Sequence, residues 1–92
     1  NLKDKTMGEE LVPTFSLALA MLKQGEKLFR HGWNGKSQFI ELQRPDEHSK
    51  MTLPYIYITT VQGNRVPWLA SQTDLLAEDW GIVDENLLDQ GA

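Results

Sequence analysis

An α+β fold is predicted for this chain, with one N-terminal helix packed on a small antiparallel sheet and a short second helix before the last strand. Three patterns predict it. Apolar residues recur at helical spacing over residues 15–22. Short β-prone runs, bounded by glycine, proline and polar residues, follow between residues 28 and 68. A Ser71-Gln72-Thr73-Asp74 capping box, with aspartate in the glutamate role, opens a second helix near the end.

Residues 1–13 read as a flexible leader that mixes Lys3, Asp4, Lys5, Glu9 and Glu10, with Met7 a candidate natural start. Thr14 is placed to cap a helix whose apolar stripe is Phe15, Ala18, Leu19 and Leu22, and Gly25 is placed to end it, so the helix should run over about 15–24. Leu28-Phe29-Arg30 then forms a short strand entering a turn. Its partner is Gln38-Phe39-Ile40-Glu41-Leu42-Gln43, which alternates on a period of two. Residues 44–53 are polar and interrupted by Pro45, hence a loop.

Tyr55 to Val61 is the clearest strand. Ile56 and Ile58 share one of its faces, and Tyr55, Tyr57 and Thr59 share the other. Gln62-Gly63-Asn64-Arg65 turns it back through Val66-Pro67-Trp68. Pro67 cannot donate to a ladder, which marks an edge strand or a strand end. The capped helix should reach Ala77, and Asp79-Trp80-Gly81-Ile82-Val83 reads as the final strand. Residues 84–92 form an acidic tail, leaving residues 14–83 as a single α+β ligand-binding domain.

Ninety-two residues make one domain, and a core of that size buries only about 60–65% of the unfolded surface. Stability alone should therefore be marginal, and oligomerisation is an ordinary remedy. An apolar fraction of 40% with three tryptophans argues for a globular fold. No apolar run approaches the roughly 20 residues of a membrane span. Zero cysteines exclude disulfides and thiolate metal sites. A net charge of −4 argues against general nucleic-acid binding, which needs a basic footprint.

The charge is unevenly spread. Residues 23–36 carry Lys23, Lys27, Arg30 and Lys36 against Glu26, a balance of +3, whereas residues 74–89 carry Asp74, Glu78, Asp79, Asp84, Glu85 and Asp89 with no cation, a balance of −6. Solvated faces, internal complementarity, a subunit contact and an anion pocket all fit that division.

Catalytic machinery is thin. His31 and His48 are far apart and lack metal-ligand spacing, and Ser71 has no evident base and a sufficient role as a helix cap. No catalytic residue, metal or cofactor is expected. The aromatic set is stronger. Trp80 should belong to the core, while Trp33 and Trp68 each lie beside a backbone breaker, Gly32 and Pro67, and could face either the core or a ligand. The segment Arg30-His31-Gly32-Trp33-Asn34-Gly35-Lys36 is a turn rich in glycine, cations and one aromatic plate. Its free amides can form an anion-binding nest, with Lys36 as a point charge. A phosphorylated, base-containing ligand suits such a turn, since base–aromatic stacking is worth about 1–3 kcal/mol per base.

Taken in order, these motifs look like a known family. The chain shows Phe-Ser-x-Ala-Leu-x-x-Leu-Lys-x-Gly over residues 15–25, Gly-Trp-Asn-Gly-Lys over 32–36 and Pro-Tyr-Ile over 54–56. It ends with Val-Pro-Trp-x-x-Ser-Gln-x-Asp-Leu-Leu-Ala-Glu-Asp-Trp over 66–80. Together they resemble the small phage and prophage proteins of the second Thoeris anti-defence family, over about residues 14–83. The resemblance implies a non-catalytic sponge that binds cyclic ADP-ribose isomers, and in some members cyclic oligonucleotides, made by bacterial immune sensors in the cytoplasm of the infected host. It implies homo-oligomers, dimers or tetramers, with pockets between subunits. By motif position it places ligand contacts on Trp33, Asn34, Gly35, Lys36, Arg30, Trp68, Ser71 and Asp74. Trp33 and Trp68 would stack on bases, Asn34 and the turn amides would bond ribose or phosphate oxygens, and Lys36 or Arg30 would neutralise phosphate. A related protein acts as a Cas9 inhibitor, so a protein-binding inhibitor, or a structural phage protein, is the alternative that the acidic 74–89 segment motivates.

Overall fold

Local chemistry sets both ends of the first helix. Thr14 holds an extended backbone at φ −99° and accepts the N–H of Leu17 on its hydroxyl at 3.3 Å, so the helix α1 (Phe15–Lys23) starts one residue later. At the other end Gly25 adopts φ +96°. Its N–H bonds to the Leu22 carbonyl at 3.0 Å and that of Glu26 to the Met21 carbonyl at 3.1 Å, the pair of bonds that closes a Schellman motif. The computed structural model describes residues 14–33 and 37–84. The leader expected over 1–13, positions 34–36 of the glycine-rich turn, and residues 85–92 of the acidic tail lie outside the described residues.

The strands follow as β1 (Leu28–Arg30), β2 (Phe39–Gln43), β3 (Tyr55–Thr59) and β4 (Arg65–Pro67), then a second helix α2 (Gln72–Leu76) and the last strand β5 (Trp80–Ile82). The expected α+β architecture is what forms. Strand and helix ends differ from the expected ones by one or two residues, with β3 stopping at Thr59 because Thr60 already belongs to the turn. There Gly63, at φ +91°, donates to the Thr60 carbonyl at 2.8 Å, and the Thr60 N–H donates to the Asn64 carbonyl at 2.8 Å. The loop after β2 ties itself down. The Asp46 carboxylate accepts the His48 N–H and the Ser49 hydroxyl, and Arg44 donates to the Lys23 carbonyl at the end of α1.

All pairings are antiparallel, in the order β4-β3-β2-β1-β5. Strands β1 to β4 form a meander, and Pro67 lies in the edge strand β4, as its missing N–H requires. The chain then crosses back from one edge of the sheet to the other, so that β5 pairs with β1. Register lines up Ile82, Leu28, Ile40, Ile58 and Val66 in one row across the five strands. Helix α1 packs against β1, β2 and β5 and also touches α2.

Ala18, Leu22, Leu28, Ile40 and Trp80 form the buried core, with Phe15, Leu19, Ile56, Ile58, Trp33 and Trp68 packed partly against it. The helical stripe is thus the stripe expected, and Ile56 and Ile58 share the inner face. On the outer face the Tyr57 hydroxyl donates to Glu41 at 2.6 Å, and Arg65 lies 6.0 Å from the Tyr57 ring centre. Among the described residues no helix is long and apolar enough to cross a membrane.

Candidate functional site

The crossover from β4 to β5 carries the residues of interest. Ser71 and Asp74 make the expected capping box: the Asp74 N–H donates to the Ser71 hydroxyl at 3.0 Å, and the Ser71 N–H donates to Asp74 Oδ2 at 3.2 Å. That exchange occupies one carboxylate oxygen. The other, Oδ1, faces away from the helix and accepts Arg30 Nη1 at 2.8 Å and Trp33 Nε1 at 3.2 Å. The main-chain carbonyl of Asp74 accepts Trp80 Nε1 at 3.1 Å. One aspartate therefore receives two indole N–H groups and a guanidinium.

Arg30, at the end of β1, completes the arrangement. Its Nε donates to Asp79 Oδ1 at 2.8 Å and its Nη2 to Asp79 Oδ2 at 3.4 Å. Asp79 Oδ2 also accepts the Gly32 N–H at 2.8 Å, and its carbonyl accepts the His31 N–H at 3.0 Å. The close approach is why residue 32 is a glycine: a Cβ there would stand 2.7 Å from Asp79 Oδ2. Arg30, Asp74 and Asp79 thus brace the turn at 31–33 against the crossover, with side chains 15%, 13% and 32% exposed.

The electrostatics follow from the contacts. Burial pushes the Asp74 carboxyl upward, but hydrogen bonds from Arg30, Trp33 and Ser71 together overcome it and hold the group below the usual carboxylate value. Arg30 lowers Asp79 as well, against a smaller opposing effect of burial, with the Gly32 N–H adding to the lowering. Hydrogen bonding to Asp79, then to Asp74, raises Arg30 in turn. All three groups are held ionised.

Beside this brace lies an aromatic cluster centred on Trp80, 2% exposed. Trp33 meets it edge-on at 5.5 Å and 79°, Trp68 at 6.0 Å and 88°, and Phe15 at 5.3 Å and 55°. Phe15 also lies 5.9 Å from Trp68. Edge-to-face contacts of this kind suit the quadrupoles of the rings. They leave Trp33 and Trp68 half-buried, with part of each plate in solvent. Among the described residues no group of three or more histidine or acidic side chains could hold a metal.

The elements in this geometry match a known sequence profile. The Thoeris anti-defense 2-like domain covers residues 13–83, from the α1 cap through β5. The chain belongs to the Thoeris anti-defense 2 family. A relative of that name from Bacillus phage SP01 is 37% identical over 83 residues, spanning 76% of this chain and 93% of the phage protein. Membership gives this chain a phage anti-defence role.

Of the positions expected at a ligand, the structure brings Arg30, Trp33, Trp68, Ser71 and Asp74 into one neighbourhood around Trp80. Asn34, Gly35 and Lys36 lie outside the described residues. Trp33 and Trp68 each pack against the core cluster while remaining partly exposed. Arg30 spends its fork on two carboxylates, and Ser71 on its cap. Two participants were not placed at the site from sequence. Asp79 is the second acceptor of Arg30, and Phe15 is the floor between Trp68 and Trp80. The signal for Asp79 was present in the opposed charges of residues 23–36 and 74–89, which here include internal complementarity. Phe15 gave none beyond its place in the helical stripe.

Proposed function

We propose that this Thoeris anti-defense 2 protein sequesters cyclic ADP-ribose-type signalling molecules without cleaving them, in pockets shared between subunits, within the cytoplasm of the infected host. The observation that carries the reading is the pair of half-buried plates, Trp33 and Trp68, set around Trp80 and steadied by the Arg30–Asp74–Asp79 brace. Two such plates stacking on bases supply about 1–3 kcal/mol each. Asn34, Gly35 and Lys36 follow Trp33 directly in sequence and are the proposed phosphate contacts. Arg30 holds the plates rather than the phosphate, because two carboxylates already surround it.

Affinity favours an assembly. A sponge that competes with a sensor needs roughly nanomolar binding, about −12 kcal/mol, and a dinucleotide-sized ligand needs walls on both sides. Apolar surface suited to association runs along the crossover, where Leu69, Leu75 and Leu76 are 90%, 45% and 77% exposed. The expected species is a dimer or tetramer.

Incubation of the protein with each cyclic ADP-ribose isomer, removal of unbound ligand, heat denaturation and analysis of the supernatant provide the test. Release of intact ligand supports sequestration. Release of a cleaved product would make the protein an enzyme, and recovery of neither would remove the reading altogether. Sedimentation of the same samples reports the assembly.

A further inference from the structure

Asp74 makes more bonds than a helix cap uses. The cap is complete with the Ser71 exchange through Oδ2 and the Asp74 N–H. Oδ1 is turned to Arg30 and to the indole N–H of Trp33, while the Asp74 carbonyl takes the indole N–H of Trp80. Trp33 and Trp80 lie edge to face at 5.5 Å, so both rings of that contact are pinned to the same residue. Trp33 has no strand to hold it. Its own N–H bonds back to the Arg30 carbonyl at 3.1 Å in a local turn, and Gly32 and His31 are held by Asp79. The ring itself is oriented by the bond to Asp74 and by its contact with Trp80.

We propose that Asp74 is a positioning residue for Trp33: its Oδ1 fixes the plane of the indole against Trp80, and it acts on a bound base through that plate rather than by touching the ligand. The inference rests on the proposed role of Trp33 as a stacking surface. Binding sites need their contact groups held to within about 0.5 Å and 10–20°. Hydrogen bonds to an ionised acceptor are roughly twice as strong as those to a neutral one, so a carboxylate holds the ring more firmly than an amide would. Arg30 and Asp79 support the assignment, since Arg30 keeps the Asp74 carboxylate ionised and Asp79 keeps the 31–33 turn within reach.

The rival role, a helix cap alone, predicts different outcomes. Asp74→Asn preserves shape but cannot accept at both oxygens, whereas Ser71→Ala weakens the cap and leaves Oδ1 in place. In the ligand-free protein, the Trp33 indole N–H resonance, identified by its loss in Trp33→Phe, should move in Asp74→Asn and exchange with water about tenfold faster. In Ser71→Ala it should stay in place. Titrations with the cyclic ADP-ribose isomers should show affinity about tenfold weaker in Asp74→Asn. Adding Asp74→Asn to Trp33→Phe should cost little more than Trp33→Phe alone, as expected of coupled residues. Should Asp74→Asn fail to fold, Trp33 replaced by benzothienylalanine keeps the plate and deletes the donor, and should lose the same tenfold. An indole resonance unmoved in Asp74→Asn or moved equally in Ser71→Ala, additive losses, or wild-type binding by the benzothienyl protein would each overturn the proposal. Failure of every isomer to bind the wild-type protein would overturn the proposed function instead, and the ligand-free resonance would still decide whether Asp74 holds Trp33.

Discussion

Arg30 and Asp74 meet at 2.8 Å across 44 residues of sequence, and Asp79 approaches the same guanidinium at 2.8 Å from a position 49 residues away. One cation between two carboxylates joins the end of β1 to the α2 cap and to the residue before β5. Its removal leaves two partly buried carboxylates facing each other with no counter-charge.

Arg30→Met should therefore destabilise the protein by about 2–4 kcal/mol, somewhat below the range for a fully buried pair because Asp79 is partly solvated. Arg30→Lys should fall between, since an ammonium keeps the charge but cannot fork to both acids. Urea unfolding of the three proteins measures the series, and a cost for Arg30→Met below about 0.5 kcal/mol would show that the brace contributes nothing.

Acid should unfold the protein through the same groups. Asp74 and Asp79 are held below the usual carboxylate value when folded, whereas unfolded they titrate near about 3.9. Below that point the unfolded chain binds more protons, so stability present at neutral pH is lost as pH falls through the unfolded and then the folded values. The unfolding midpoint in urea should decline from about pH 5 downward. The decline should be shallower in Arg30→Met, where the contribution of Arg30 to the lowering is absent.

Gly32→Ala should cost about 1–3 kcal/mol, because the new methyl meets Asp79 Oδ2 at 2.7 Å and that oxygen cannot retreat without leaving Arg30 and the Gly32 N–H. Gly81→Ala is the comparison. Its Cβ would meet the Phe29 ring at 3.1 Å and His31 Nε2 at 3.2 Å, contacts that a small ring shift relieves. Thermal unfolding should rank Gly32→Ala as the more damaging, and a reversed order would contradict the geometry at Asp79.

At high pH the limiting group is Tyr57. Burial, and then the hydrogen bond and charge of Glu41, push its phenol up to about 12. The folded state thus binds a proton that the unfolded tyrosine loses near about 10. The stabilisation is complete below that value and disappears as pH rises to about 12. Tyr57→Phe should remove this alkaline dependence, which unfolding midpoints measured between neutral pH and the alkaline limit would register.

Local signals made most of the fold legible. Thr14, Gly25 and the Ser71–Asp74 box mark helix ends because each acts within a few residues of itself, and the α1 stripe is a periodicity of one segment. Pro67 marked an edge because its missing N–H excludes it from a central strand. The pairing of β5 with β1 had no such mark, since nothing in Trp80-Gly81-Ile82 names its partner. The site divides the same way. The tryptophans and Asp74 could be singled out by motif, but the second bond of Asp74 depends on where Arg30 and Trp33 arrive in space. Opposed charge at the two ends stated that partners might exist without saying which, and the direction of each half-buried indole is a property of packing.

The sheet order has a consequence for how this protein is made. β1 lies between β2 and β5, and the two acids that neutralise Arg30 arrive 44 and 49 residues after it. At synthesis rates of about 5–20 residues per second, a nascent β1 waits about 2–10 s for its last neighbour. Any meander formed in that interval would have one edge open and its arginine uncompensated. The last strand is therefore the keystone of the assembly: a chain interrupted before Asp79 and Trp80 lacks the centre of its aromatic cluster as well as its brace. Such a fragment would offer an unprotected sheet edge to proteases and to other nascent chains, and both the brace and the aromatic cluster arrive in a single step with the crossover.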